Sequence, residues 1–279
     1  MSVSKQVKLQ WVRIRYSVLS LLSPSYAAYS ALKLFSTPRK AAIPDPPLIR
    51  EAEKLSVISN GLELKGYRWG KATGNRILIL HGFGSAAAKF ETYINPLLEN
   101  GYEVTAFDAQ AHGKSEGTTI TLPEYITGIE TVYNRFGPFN AYIAHSLGGS
   151  AVTHFLEKVN PGPDVKVVLI APSTEVASLI TNFSGLLRLK SPVKEKLLAL
   201  IQERTGYPVD YFSVTRAMGM IRASVLWIHD RDDSITPFAD AEKVTDLGLK
   251  HVIFMATNGL GHNKIYRDEA VKHRILEFL

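Results

Sequence analysis

From Lys54 to the C-terminus, short β-branched runs recur, and most are separated by stretches of helical spacing. The run KLSVISNGLELKGYRW, residues 54–69, alternates apolar and polar positions on either side of Asn60-Gly61, a favoured two-residue hairpin turn. Six further runs follow: RILILHG, YEVTAFDA, NAYIAHS, VKVVLIAPS, SVLWIHD and HVIFMAT. They are apolar almost without alternation, which predicts strands covered on both faces. Intervening segments such as AAKFETYINPLLENG and LPEYITGIETVYNRFG carry helically spaced apolar residues and finish in glycine. Strands alternating with helices predict an α/β fold with a mostly parallel eight-stranded sheet, helices on both faces and a leading antiparallel hairpin.

Residues 173–222 break the alternation. These fifty or so residues hold only helical patterns rich in Leu, Phe and Met, and exceed an ordinary connection. They predict a small helical cap inserted at the carboxyl ends of the strands, the edge where open α/β sheets bind ligands. Phe183, Leu186, Leu187 and Leu189 within it suit either a lipid-like ester or the cap's own small core. The core domain is then assigned to 45–172 and 223–279, a length that one large domain can accommodate.

Residues 1–44 form a separate, basic and partly apolar arm. It contains Lys5, Lys8, Arg13, Arg15, Lys33, Arg39 and Lys40 and no acid, and it leads into the proline-rich linker IPDPP. The net charge of +6 therefore belongs to the arm, because the remaining residues balance 25 basic against 26 acidic ones. That distribution argues against a nucleic-acid-binding face on the folded body. Serines, Pro24 and Lys33 make the stretch a poor transmembrane span. Three readings stay open: a helix on an anionic membrane surface, an amphipathic helix docked on the body, or a cleaved signal. There are no cysteines, so disulfides, thiolate-held zinc and a cysteine nucleophile are excluded. A cytoplasmic location is expected, with the arm as the element of membrane association.

The candidate chemistry begins at Ala144-His145-Ser146-Leu147-Gly148, where a buried run ends and a helical one opens. Small residues around Ser146 allow a sharp strand-to-helix turn that leaves its hydroxyl exposed beside a helix N-terminus. The pattern is the nucleophile elbow G-x-S-x-G, with Ala144 at the first glycine. A serine needs an oriented base. Asp233 follows the run SVLWIHD, and His262 lies in a glycine-bracketed loop after HVIFMAT. Ser, Asp, His is the chain order of this architecture, and each residue follows a separate strand, so all three converge on one edge. Backbone amides for an oxyanion come from Leu147 and from His81-Gly82-Phe83-Gly84, where Phe83 is best placed.

These pieces, HGFGS, FDAQAHGKSEG, AHSLGG, IHDRDDSITP and GLGH, resemble the α/β-hydrolase fold serine hydrolases. Within them the chain is similar to the branch of monoacylglycerol-lipase-like esterases and serine aminopeptidase-like proteins. The resemblance runs from about residue 54 to the end and leaves out the arm. It implies Asp233 as the triad acid, with Asp232 a neighbouring rival and Asp230 standing where the family commonly has glycine. It makes the turn Asp108–Ser115 structural, so His112 takes no catalytic role. His81 and His229 are expected to be structural, and His145 to point away from the nucleophile. No metal or organic cofactor is expected. The implied function is cleavage of an ester-type bond in a small-molecule acyl substrate. Thioester, amide or carbon–carbon cleavage by the same triad, or a non-catalytic ligand-binding protein, are the alternatives.

Overall fold

The computed structural model describes residues 3–39, 45–71 and 74–279, with side chains from residue 6. Lys40, Ile43 and Pro44 of the arm and linker lie outside the described residues, as does the side chain of Lys5. The elements begin with α1 (Val3–Leu22), α2 (Pro24–Ser36) and α3 (Pro47–Glu51). Then come β1 (Glu53–Ser59), β2 (Leu62–Trp69), β3 (Arg76–Leu80), α4 (Glu91–Glu99), β4 (Glu103–Phe107) and α5 (Leu122–Phe136). Next are β5 (Ala141–His145), α6 (Leu147–Val159), β6 (Lys166–Ile170), α7 (Val176–Leu187), α8 (Ser191–Thr205) and α9 (Val214–Met218). Last are β7 (Ser224–Asp230), α10 (Phe238–Thr245), β8 (Val252–Thr257), α11 (Gly261–Lys264) and α12 (Glu269–Phe278).

The chain divides into two compact units, Met1–Thr37 with Glu175–Ser213, and Pro38–Thr174 with Val214–Leu279. The second holds one eight-stranded sheet in the order β1-β2-β4-β3-β5-β6-β7-β8. β1 and β2 pair antiparallel with Ser59 opposite Leu62, and Asn60 and Gly61 turn between them at φ 50° and 75°. Positive φ at both central residues is what such a turn requires. β2 also runs antiparallel to β4, and every pairing from β4 through β3 to β8 is parallel. This is the mostly parallel sheet with a leading hairpin that the buried runs predict, and the α/β-hydrolase fold that the motif resemblance implies.

The central strands are buried on both faces: Ile77, Leu78, Ile79 and Leu80 of β3 are 0–2% exposed. β8 differs from the sequence expectation, because at the sheet's edge it has one neighbour and leaves Ile253 47% exposed. Helix entry is encoded locally. Thr121 accepts from the Glu124 amide while the Glu124 carboxylate accepts from the Thr121 amide, a capping box opening α5.

The first unit consists of α1, α2, α7 and α8. Tyr16 of α1 and Ala27, Ala28, Ala31 and Leu32 of α2 share a core with Ile180, Leu187, Val193, Leu197 and Ile201. Phe35 meets Phe183 edge-on at 5.1 Å, and Arg13 donates to the Leu186 carbonyl at 2.9 Å. Ser23 caps α2 by accepting from the Tyr26 amide, with Pro24 following it. The division of the chain thus differs from one that sets 1–44 apart from a cap at 173–222. The insert's share is 175–213, residues 214–222 belong with the sheet, and the arm helices complete the insert's core. The physical reason is size: a helical pair of about 40 residues rarely closes a core alone.

Leu197 is 1% exposed and the adjacent Leu198 42%. Leu197→Ala is expected to cost about 3 kcal/mol in urea unfolding and Leu198→Ala less than about 1. Equal losses would contradict the shared core.

Candidate active site

β5 ends at His145, and α6 starts at Leu147, so the chain reverses from strand to helix at a single residue. Ser146 adopts φ 54° and ψ −121°, a region that costs a non-glycine residue about 1–3 kcal/mol. Its amide donates to the Ile170 carbonyl, and its carbonyl accepts from the Gly149, Ser150 and Ser173 amides. The following glycines are needed for close passage. A Cβ on Gly148 would stand 2.7 Å from the His81 carbonyl oxygen, and one on Gly149 2.8 Å from Pro172. Ala144, at the elbow's first small position, is fully buried without difficulty.

Parallel strands deliver the other residues to the same edge. His262 opens a short helix after β8, and Asp233 sits three residues past β7. The structure brings Ser146, His262 and Asp233 together. His262 Nε2 lies 3.0 Å from Ser146 Oγ, and His262 Nδ1 lies 2.7 Å from Asp233 Oδ2. The carboxylate thereby fixes the tautomer in which Nδ1 carries the proton and Nε2 accepts from the hydroxyl. All three residues are buried. Burial pushes Asp233 up, but the His262 hydrogen bond and charge, with the Ile235 and Thr236 amides, outweigh it and hold the carboxyl below its ordinary range. Asp232 is exposed, and its Oδ2 accepts from the Gly259 amide rather than approaching the imidazole.

The loop after β3 carries Phe83. Neither its amide nor that of Leu147 enters a backbone hydrogen bond among the described residues, whereas Gly84 donates to His112 Nε2 at 2.9 Å. His112 in turn donates from Nδ1 to the Gln110 carbonyl. His81 is used in the same way: Nε2 accepts from the Ala109 amide, and Nδ1 donates to the Gly82 carbonyl. Both rings must be neutral for these bonds, and burial lowers each to about 4. They fasten the two loops, and their ring hydrogen bonds go to those loops rather than to Ser146.

Three further residues, to which the sequence assigned no part in the site, help to hold the group. Thr236 donates from Oγ1 to Asp233 Oδ2 at 2.8 Å and stands 3.1 Å from His262 Nδ1. Asp233 Oδ1 accepts from the Ile235 amide two residues on, an Asx turn, and also from the Thr236 amide, which brings Thr236 back beside the carboxylate. His145 donates from Nε2 to the His262 carbonyl at 3.0 Å, and its ring lies 4.8 Å from the His262 ring. It makes no hydrogen bond to Ser146; alternation along a strand gives its direction but not what it touches. Asp230 is fully buried and accepts four bonds, from Thr257 Oγ1 and from the amides of Asp232, Leu260 and Gly261. Burial raises its pKa, and these donors more than reverse the effect. This carboxylate thus ties the Asp233 loop to the His262 loop. His229, nearby, donates to the Thr236 carbonyl and accepts weakly from Trp227, as a satisfied core residue does.

The family model Hydrolase_4, described as serine aminopeptidase, S33, matches residues 72–216. The chain is 32% identical over 133 residues to a serine hydrolase-like protein of Danio rerio, covering 43% of this chain and 39% of that one. The chain therefore spans about two fifths of that relative's length. It is 22% identical over 253 residues to a non-heme chloroperoxidase of Streptomyces lividans, covering 74% of this chain and 92% of that protein. Among solved structures it is similar to the Pyrococcus furiosus esterase Pf2001, with a TM-score of 0.67 and 19% identity over 87% of this chain and 98% of that chain.

Asp230→Ala leaves three amides and a hydroxyl without their acceptor and is expected to cost about 3 kcal/mol in urea unfolding, against less than about 1 for the exposed Asp232→Ala. The neutral histidines give a pH dependence. Burial depresses His81 and His112 to about 4 and, together with the His262 charge, His145 to about 3. In the unfolded chain they titrate near 6.5, so between these values the unfolded state holds more protons and stability falls as pH falls. Each is expected to cost about 2 kcal/mol at pH 5, with Asp108, which burial pushes up, offsetting part. Urea midpoints unchanged from pH 7 to pH 5 would contradict it.

Proposed function

The chain belongs to the Hydrolase_4 family of serine aminopeptidase-like α/β hydrolases, and from that premise we propose that it cleaves an ester-type bond through an acyl-enzyme on Ser146. The observation that carries the reading is the 3.0 Å approach of Ser146 Oγ to His262 Nε2, with Asp233 Oδ2 2.7 Å behind the ring.

In this mechanism the Ser146 hydroxyl gives its proton to His262 Nε2 as Oγ attacks the substrate carbonyl carbon. Asp233 keeps Nδ1 protonated and stabilises the imidazolium. The oxyanion is received by the Phe83 and Leu147 amides, each such donor being worth about 3 kcal/mol of barrier. His262 then returns the proton to the departing alkoxide, which leaves as an alcohol. Water, deprotonated by the same Nε2, attacks the acyl carbon; the acid departs and Ser146 recovers its proton. The strained φ of Ser146 supports the reading, because it sets the hydroxyl above the sheet edge, next to the first turn of α6.

The same machinery accepts thioester or amide carbonyls, and the leaving group is what a substrate panel separates. We also propose that the basic N-terminal segment meets a membrane surface. Among the described residues no helix is long and apolar enough to cross a membrane, so the contact in this reading is one of lying on the bilayer.

A fluorophosphonate probe is expected to label Ser146. Ser146→Ala is expected to lower hydrolysis of nitrophenyl esters by about a thousandfold or more with the fold intact. Parent-like turnover in the variant would overturn the proposal.

A further inference from the structure

α1 has two apolar faces. Leu9, Val12, Tyr16 and Leu19 pack into the helical unit. On the other side Val7, Trp11, Ile14, Val18, Leu21 and Leu22 lie open, between 50% and 77% exposed. Steps of four and three residues keep these in one stripe along a helix of 20 residues, about 30 Å long. A contiguous apolar stripe of this kind is far from the scattered exposure of an ordinary surface.

Charge indicates what covers it. The unit of Met1–Thr37 and Glu175–Ser213 holds ten basic and four acidic residues, so it carries +6, the whole net charge of the chain. The sheet unit balances 22 against 22. Exposed Lys8 and Arg15 border the stripe on one side, Gln10 and Ser17 on the other, and α1 contains no acid. The stripe's spacing would also serve a coiled-coil seam with a second copy. In such a seam the flanking positions meet across the pair and need opposite charges, and here they offer only basic and uncharged groups. A surface of anionic headgroups over acyl chains satisfies both the basic border and the apolar stripe.

We propose that this face of α1 lies in the plane of an anionic lipid bilayer, with Trp11, Ile14, Val18 and Leu21 entering the headgroup boundary and Lys8 and Arg15 meeting the lipid charges. The inference rests on the proposed membrane contact of the N-terminal segment and is independent of the hydrolase chemistry.

The chain carries its own probe. Trp69 and Trp227 are buried while Trp11 is 68% exposed, so an emission shift on vesicle binding reports α1. The full chain is mixed with vesicles of phosphatidylcholine, with or without about a third phosphatidylserine. Co-flotation and a blue shift are expected with the anionic vesicles only, weakening as salt rises. Ile14→Glu/Val18→Glu is expected to lower that binding about tenfold or more while a soluble nitrophenyl ester is hydrolysed as before. Undiminished binding by the variant overturns the assignment to this face and leaves the membrane contact standing. No binding of the parent chain to anionic vesicles overturns both. A dimer that the same substitutions dissolve, without vesicle binding, gives the stripe to a second copy and overturns the proposal. Turnover of the soluble ester is read separately, so the hydrolase reading stands or falls on its own.

Discussion

The sheet unit is organised around the reversal of the chain at Ser146. A strand buried on both faces must become a helix within one residue, and that residue carries a side chain in a region of backbone space that side chains avoid. The conformation persists because its surroundings leave no alternative. β6 takes the Ser146 amide through the Ile170 carbonyl, and Ser173 closes on its carbonyl. Gly148 and Gly149 let α6 begin against the His81 carbonyl and Pro172 at distances no Cβ allows. Packing energy from the surrounding core sets the geometry of one hydroxyl.

The histidine loop is held by a different kind of force. Leu260 packs against the sheet core, and the amides of Gly259, Leu260 and Gly261 are gathered by carboxylates, Asp232 for the first and Asp230 for the other two. The Asp233 carboxylate is itself saturated by Ile235, Thr236 and His262. Three acids within four positions would repel one another if each were not matched to amide or hydroxyl donors. Buried polar groups of this sort rigidify only when fully satisfied. The neutral His81 and His112 complete the frame as fixed donors and acceptors, and His145 as a donor to the His262 carbonyl.

The helical unit shows how two weak pieces make one core. The insert after β6 and the N-terminal arm are each too small to bury their apolar faces, and together they enclose Tyr16, Leu32, Val193 and Leu197. α1 nevertheless has more apolar surface than its partners cover, and the unit holding it carries all of the chain's net charge.

By itself the sequence determined the α/β architecture, because unbroken apolar runs between helical stretches have no other stable arrangement, and Asn60-Gly61 specified the hairpin that leads it. It also singled out Ser146, Asp233 and His262, since residue type, chain order and position after a strand are one-dimensional facts. What the arm packs against was open in the sequence, because a helix with apolar residues on two faces does not say which face is inner. The bonding of Asp230 and the grip of His145 on the His262 carbonyl were likewise invisible. Each depends on where the loops after β7 and β8 meet, and only the packed sheet brings those loops within hydrogen-bonding distance.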